Sequence, residues 1–390
     1  TAGCINMGAL LRIGIDATAL PERPVGAGNY IIHLIRAFAR GNSPADFVIF
    51  TQRHALPLLA VQERPGFQLV VLPDRSPPMR LLWEQTAFPA LAARHKLDLL
   101  HSPHYTMPLV YRGRTVVTFH DMTFFLFPGL HTLPKRYFFR LFIHLSRRRA
   151  TALIADSEST RQDAIRLAGV PPGKIHTTLL GITPDFHPES DLAALQAVRQ
   201  KYHLPERFLL FVGLLEPRKN LPALLQAFAT LPPQQPPVKL VVVGRQGWMV
   251  SQTLQLVHSL GLDDRVHFTG YVDQADMPRV YNLAEVAVYP SIYEGFGFPV
   301  LEAMASGTPV ITSDVSSMPE IAGEAGVTLP PGDVPALTQA IQSLLSDPVE
   351  RGRRSRLGLE RAAQFTWERC AAQTLDVYRQ CLNSPSASSR

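Results

Sequence analysis

Short runs of β-branched and aromatic residues alternate with amphipathic stretches along almost the whole chain, and this alternation leaves few folds open. Strand, helix and strand in regular succession is the pattern of parallel sheets covered by helices on both faces. In the first half the expected strands are 11–17, 47–51, 68–72, 97–101, 115–120, 152–156 and 175–178, with helical patterns at 29–40, 80–95 and 158–168. The segment 181–205, with Pro184, Pro188 and Pro205, is expected to contain the hinge. The rhythm then restarts, with strands at 208–213, 239–244, 266–268, 286–289, 310–312 and 327–329 and helices at 221–231, 251–260, 274–283, 299–306 and 334–346. The expectation is an α/β chain of two doubly wound, Rossmann-like domains, 1–188 and 189–366. Such domains bind ligands at the carboxyl ends of their strands.

Composition narrows the partners. The net charge of +6 is unevenly divided: residues 1–190 hold 21 Lys and Arg against 13 Asp and Glu, while residues 191–390 hold 17 against 19. Residues 101–150 alone carry eight basic residues and one acid, Asp121. The basic half therefore suits nucleic acid, anionic lipid or a phosphate-bearing substrate. Three cysteines (Cys4, Cys370, Cys381) without C-x-x-C spacing exclude a disulfide scaffold and a cysteine-based zinc site. No run approaches ~18 uninterrupted apolar residues, and no signal peptide is expected from the opening TAGCINMGALLRIGIDA. A reducing, cytoplasmic setting follows as the expectation.

Five motifs carry chemistry. In SIYEGFGFPVLEAMASGTPVI (291–311), Gly295 and Gly297 free the backbone to approach a ligand, and Pro299 suits the first turn of a helix. Glu294 and Glu302 put two acceptor carboxylates near an anion-favouring helix end, which suits a ligand bearing hydroxyls and phosphates. The plainer alternative is a capping acid and a solvated helix glutamate. In FVGLLEPRKNL (211–221), Arg218 and Lys219 stand where a helix begins, and cations opposing a helix dipole call for an anion. VGAGNYI (25–31) resembles G-x-G-x-x-G only superficially, since Ile31 occupies the last position and no acid follows ~20 residues on. TVVTFHDM (115–122) presents His120 and Asp121 at a strand's carboxyl end, whereas His101 and His104 have no third metal ligand nearby in sequence. Finally, in 131–149, basic residues 135, 136, 140, 147, 148 and 149 interleave with Tyr137, Phe138, Phe139, Leu141, Phe142 and Ile143. That segment reads either as a basic helix lying on anionic lipid over 135–149 or as a core-packed helix with a cationic outer face. No nucleic-acid-binding motif is present, so nucleic acid is not expected.

Taken together, EPRKN (216–220), the E-x7-E pair from Glu294 to Glu302 within EGFGFPVLEAMA, FHD (119–121) and GAG (26–28) resemble the retaining GT-B glycosyltransferases of family 4. WEQ (83–85) and HSPH (101–104) further resemble a bacterial mannosyltransferase-like subgroup. The resemblance covers residues 10–380 and implies two domains facing each other across a cleft, an N-terminal acceptor domain and a C-terminal donor domain. It implies that the last helix, about 367–382, packs back onto the first domain. It further implies that Arg218 and Lys219 hold the donor diphosphate, that Glu302 accepts from ribose hydroxyls, and that Glu294 with Gly295, Phe296, Gly297 and Phe298 grips the transferred sugar. Gly26 and Gly28 would admit the phosphates, His120 would contact the sugar near the reacting carbon, and Tyr271 would border the nucleobase. Many relatives have Arg after the glycine corresponding to Gly213, where this chain has Leu214. The absence of a D-x-D triplet fits a reaction without metal or other cofactor.

The expected function is therefore retaining, metal-independent hexosyl transfer from a nucleotide sugar, GDP-mannose ahead of a UDP-sugar, to a carbohydrate or lipid-linked acceptor in glycoconjugate synthesis. The expected setting is cytoplasmic or at the inner face of the membrane. The rival is a sugar-nucleotide-binding protein without catalysis.

Overall fold

The computed structural model describes residues 11–24, 26–41, 45–61, 64–244 and 250–383. Two compact units emerge: Thr1–Gly181 with Trp367–Arg390, and Ile182–Thr366.

The first unit is built on β1 (Leu11–Asp16), β2 (Ala45–Gln52), β3 (Phe67–Leu72), β4 (Leu99–Ser102), β5 (Arg114–Phe119), β6 (Ala152–Ala155) and β7 (Ile175–Thr177). All pair in parallel in the order β3-β2-β1-β4-β5-β6-β7. The strands are short continuous apolar runs because helices bury both faces, so Ile13, Ile49, Phe50, Leu100, Val117 and Ile154 have at most 1 % of their surface exposed. The helix Ala27–Arg40 packs on this sheet with a stripe of Tyr30, Ile31, Leu34, Ile35 and Phe38. Phe38, Phe47 and Phe67 stack in series, at centroid distances of 4.7 and 5.0 Å.

The second unit holds β8 (Phe208–Val212), β9 (Lys239–Val243), β10 (Val266–Gly270), β11 (Val286–Tyr289), β12 (Val310–Ser313) and β13 (Val327–Leu329). They too are parallel, in the order β10-β9-β8-β11-β12-β13. The core gathers Leu209, Phe211, Leu224, Leu225, Phe228, Leu240 and Ile341. Each large apolar side chain so buried contributes about 1.5–3 kcal/mol. The strand order reverses between β1 and β4 and again between β8 and β11, which opens a ligand-accepting crevice at the carboxyl ends of those strands.

The final helix, Trp367–Asn383, belongs to the first unit. Its buried residues Trp367, Cys370, Ala371, Thr374, Val377, Tyr378 and Cys381 recur at helical spacing. Trp367 stacks on His33 at 5.1 Å, and Tyr378 lies 6.2 Å from Phe38.

Three local expectations change. The 80–95 segment is two helices, Pro77–Thr86 and Phe88–Arg94, with Pro89 in the first turn of the second. The division between units falls after Gly181, ahead of 188 but within the 181–205 segment, which also contains the helix Leu192–Lys201, capped by Asp191. The helix expected at 29–40 begins at Ala27, so Gly28 lies inside its first turn.

Candidate functional site

In the second unit, the carboxyl ends of β8, β11 and β12 converge. Beyond β8 the chain makes a single 3-10 turn, Pro217–Lys219, and enters the helix Leu221–Ala229. Asn220 joins the two in the left-handed conformation, φ +57°, which asparagine tolerates better than most residues. The turn is tied to the loop after β11: the carbonyl of Arg218 accepts from the Ile292 N–H at 2.7 Å and from Ser291 Oγ at 2.9 Å. Arg218 and Lys219 therefore precede the helix rather than open it.

The anion that these cations call for is Glu294, which is only 7 % exposed. Arg218 Nη1 donates to its Oε2 at 2.6 Å, and Lys219 Nζ to its Oε1 at 2.6 Å. Tyr289 and Ser291 hydroxyls also donate to Oε1, at 2.8 and 2.7 Å, and Lys219 Nζ contacts the Tyr289 hydroxyl. Arg218 Nε pairs with Glu216 at 2.7 Å. Burial works to raise the Glu294 pKa, but the charges of Lys219 and Arg218 outweigh it and hold the carboxyl at about 2. Burial lowers the Lys219 pKa against the pull of Glu294. Glu294, which the resemblance assigns to sugar hydroxyls, thus engages both oxygens with Arg218 and Lys219. Tyr289 and Ser291 were not singled out from sequence, although Ser291 opens the 291–311 motif and Tyr289 stands two residues before it.

Around Glu294 the loop is fixed by Ser316 and Ser317. Ser316 Oγ accepts from the Glu294 N–H at 3.1 Å and donates to its carbonyl at 2.5 Å, while Ser317 Oγ donates to the Phe296 carbonyl at 2.6 Å. Gly297 caps the helix Phe298–Ala305 at φ +111°, a conformation that favours glycine, and a Cβ there would lie 2.3 Å from Met318 Cε and push that side chain aside. Phe296 is buried between Phe298 and Phe365, at 5.2 and 6.1 Å. Gly295 and Phe298 are half-buried on the same loop. Glu302, one turn into the helix, accepts from the Tyr281 hydroxyl at 2.8 Å, and burial pushes its pKa up to about 7. Tyr271, just past β10, is 55 % exposed. The second unit therefore brings Arg218, Lys219 and Glu294 into one network, with Gly295–Phe298 and Glu302 following on the adjoining loop and helix.

The first unit gathers a different set at its carboxyl edge. Gly26 precedes the helix Ala27–Arg40 at φ +50°, where an added Cβ would stand in open space, whereas Gly28 is packed against Pro24. Val25, immediately before the GAG motif, lies outside the described residues. His101 on β4 receives hydroxyls on both nitrogens, Tyr378 at 2.6 Å and Thr118 at 2.9 Å, and Thr118 in turn meets the Tyr30 hydroxyl at 3.1 Å. Burial, then the neighbouring His104 and His120, push the His101 pKa down to about 3. His120, just past β5, has its Nδ1 2.6 Å from Asp156 Oδ2 and its Nε2 3.0 Å from the Pro103 carbonyl. Asp156, at the end of the expected 152–156 strand, is the partner that sequence reasoning overlooked.

Beside them, Asp16, Glu84 and His104 place one ligand atom each within 4.8 Å of one another. The fold thus supplies His104 with acidic neighbours that were not apparent in sequence. Arg80 already provides their counter-charge, 2.8 Å from Glu84 and 3.9 Å from Asp16. Thr18 and Thr106 complete the network through Asp16 Oδ1 at 2.6 Å and Glu84 Oε2 at 2.9 Å. WEQ and HSPH therefore meet in a buried, charge-compensated cluster at the ends of β1 and β4.

The helix Leu133–Arg149 buries Phe142, Ile143 and Ser146 but exposes Leu133, Tyr137 and Leu141, at 63, 63 and 55 %. Arg140, Arg147 and Arg149 donate to backbone carbonyls of Phe124, Ala168 and Leu109. Among the described residues, no helix is long and apolar enough to cross a membrane.

Comparison with known proteins follows these divisions. Residues 24–186 match the family described as Glycosyltransferase Family 4, and residues 196–362 match that of Glycosyl transferases group 1. O-antigen chain mannosyltransferase B of Escherichia coli is 37 % identical over 73 % of this chain and 75 % of its own length. The serotype-specific mannosyltransferase WbdA of Escherichia coli is 31 % identical over 60 % of this chain, a match that spans only 29 % of WbdA. Among solved structures, sucrose-phosphate synthase from Thermosynechococcus elongatus superposes with a TM-score of 0.75 at 24 % identity, covering 95 % of this chain and 98 % of that one. Anabaena Alr3699/HepE in complex with UDP and glucose gives 0.74 at 20 % identity, covering 95 % and 100 %.

Proposed function

Because this chain belongs to the family 4 glycosyltransferases of the GT-B class, we propose that it transfers a hexose from a nucleotide sugar to an acceptor hydroxyl with retention and without a metal. Mannose from GDP-mannose is the first donor, a UDP-sugar the second. The mannosyltransferase relatives support the first, and the HepE structures with UDP-glucose keep the second in view. The acceptor is a carbohydrate or lipid-linked glycan under construction.

The observation that carries this reading is the Arg218–Lys219 pair assembled on Glu294 at the switch point of the second sheet. In the transfer, the bond from the sugar's anomeric carbon to the diphosphate oxygen breaks and its electron pair leaves with the diphosphate. The new bond forms from the acceptor oxygen, whose proton passes to a phosphate oxygen on the same face. Two cations held in a half-dry site stabilise the leaving charge without reorganising, a contribution of about 3–4 kcal/mol for one well-placed group. Glu302 accepts from the ribose, Gly295–Phe298 lie along the sugar, and Tyr271 borders the base.

Arg218→Ala should lower kcat by about 10²–10³-fold with GDP-mannose and an acceptor glycan, and EDTA should leave the wild-type rate unchanged. An unaffected Arg218→Ala rate removes the clamp from the mechanism; loss of activity in EDTA restored by Mg²⁺ removes metal independence. Donor binding without transfer or hydrolysis would favour the rival, non-catalytic reading.

A second element of the reading is peripheral attachment through Leu133–Arg149. Leu133, Tyr137 and Leu141 project outward at four-residue spacing on a cationic helix, an arrangement that suits an anionic bilayer. The full chain should float with phosphatidylglycerol-containing vesicles at low salt and less so at high salt; failure to float at low salt ends this element.

A further inference from the structure

His101 and His120 are both buried at the carboxyl edge of the first sheet, on neighbouring strands, yet their partners differ in kind. The two hydroxyls at His101 can donate or accept, so a neutral ring is satisfied. The two partners of His120 only accept: a carboxylate oxygen of Asp156 at 2.6 Å and the carbonyl of Pro103 at 3.0 Å. A neutral imidazole has one N–H and would set a lone pair against one of these oxygens. A ring protonated on both nitrogens satisfies both oxygens.

We propose that Asp156 is a positioning residue that holds His120 as an imidazolium with both N–H groups engaged, so that His120 serves the transfer by fixed charge and takes no proton from the acceptor. The proposal rests on the transferase reading only for its consequence in catalysis; the protonation state is a property of the chain itself. Asp156 is 3 % exposed and stands immediately before Ser157, the N-cap of the helix Glu158–Ala168, where the helix dipole favours a negative charge. Its other oxygen, Oδ1, is buried without a hydrogen-bond partner among the described residues, which leaves the imidazolium as its principal compensation.

The remaining neighbours of the ring reinforce this state. Tyr30 from the helix Ala27–Arg40 and Tyr105 from the loop after β4 meet it edge-on at 5.3 and 5.7 Å. Asp121 adds a second negative charge, neutral His101 lies on β4, and the thiol of Cys370 on the last helix is pushed up by burial and by Asp156. Burial alone would lower the His120 pKa, but Asp156, the Pro103 carbonyl and Asp121 together raise it. With His120 unable to accept, the acceptor's proton goes to the departing phosphate.

The test is nitrogen NMR of the full chain labelled with ¹⁵N-histidine, with His120 assigned through its loss in His120→Gln. Both ring nitrogens of wild-type His120 should be protonated at pH 7.5. In Asp156→Asn its titration midpoint should fall by at least ~1 pH unit. That variant should lower kcat by about 10–100-fold with donor KM nearly unchanged, and Asp156→Glu should restore part of the rate. A singly protonated His120 in the wild type at pH 7.5, or a midpoint unchanged in Asp156→Asn, overturns the proposal. A wild-type chain inactive with every sugar nucleotide overturns the transferase reading alone, and the wild-type ring nitrogens still decide this one.

Discussion

Lys219 and Glu294 lie 2.6 Å apart, one from the turn after β8 and the other from the loop after β11, and each is the other's principal charge partner. Under the proposed function, a diphosphate arriving at Lys219 and Arg218 would compete with an anion already in place. Glu294→Gln should lower the melting temperature, since uncovering a buried charge pair costs about 3–5 kcal/mol, while binding nucleoside diphosphate several-fold more tightly by calorimetry. The sign of its pH dependence is fixed: Glu294 is held at about 2 against an ordinary 4.5, so its stabilisation is complete above 4.5 and fades as pH falls toward 2. The variant should lose that acid-side dependence.

Glu302 behaves oppositely. Its pKa of about 7 lies above the ordinary 4.5, so its ionisation destabilises the fold as pH rises between those values. In the proposed function Glu302 accepts from ribose hydroxyls, which would favour the ionised form. Nucleotide affinity should thus improve from pH 6 to pH 8, and calorimetry in buffers of different ionisation enthalpy should show proton release on binding near pH 7. Glu302→Gln should abolish both effects.

Tyr378→Phe removes one hydroxyl from the last helix and leaves His101 Nδ1 buried without its 2.6 Å partner. A loss of about 1–3 kcal/mol is expected, read as a lower unfolding midpoint of the full chain in urea, with donor binding by the second unit unchanged.

The strands were legible because parallel strands buried on both faces are written as unbroken apolar runs; 286–289 reads as β11 without a residue's difference. That Arg218, Lys219 and Glu294 would stand close together was legible too, since all three border the carboxyl ends of strands that the apolar runs mark. What stayed hidden depends on chain segments brought together only by folding. The direct pairings of Lys219 with Glu294, His120 with Asp156 and His104 with Asp16 are contacts across 75, 36 and 88 residues, and Thr106 reaches Glu84 across 22. The break at Ala87 was missed for a local reason: proline marks a first helical turn as readily as a boundary, and Pro89 stands in the first turn of the second helix.

The first unit is assembled from both ends of the chain, with the whole of Ile182–Thr366 threaded between its parts. During synthesis the second unit has all six strands in hand before Trp367 is made. The first must wait, its Ala27–Arg40 helix still lacking the neighbour that brings Trp367 to His33 and Tyr378 to His101. Of the two units the one translated earlier is thus completed later, and a chain stopped at Thr366 would injure the first unit rather than the second.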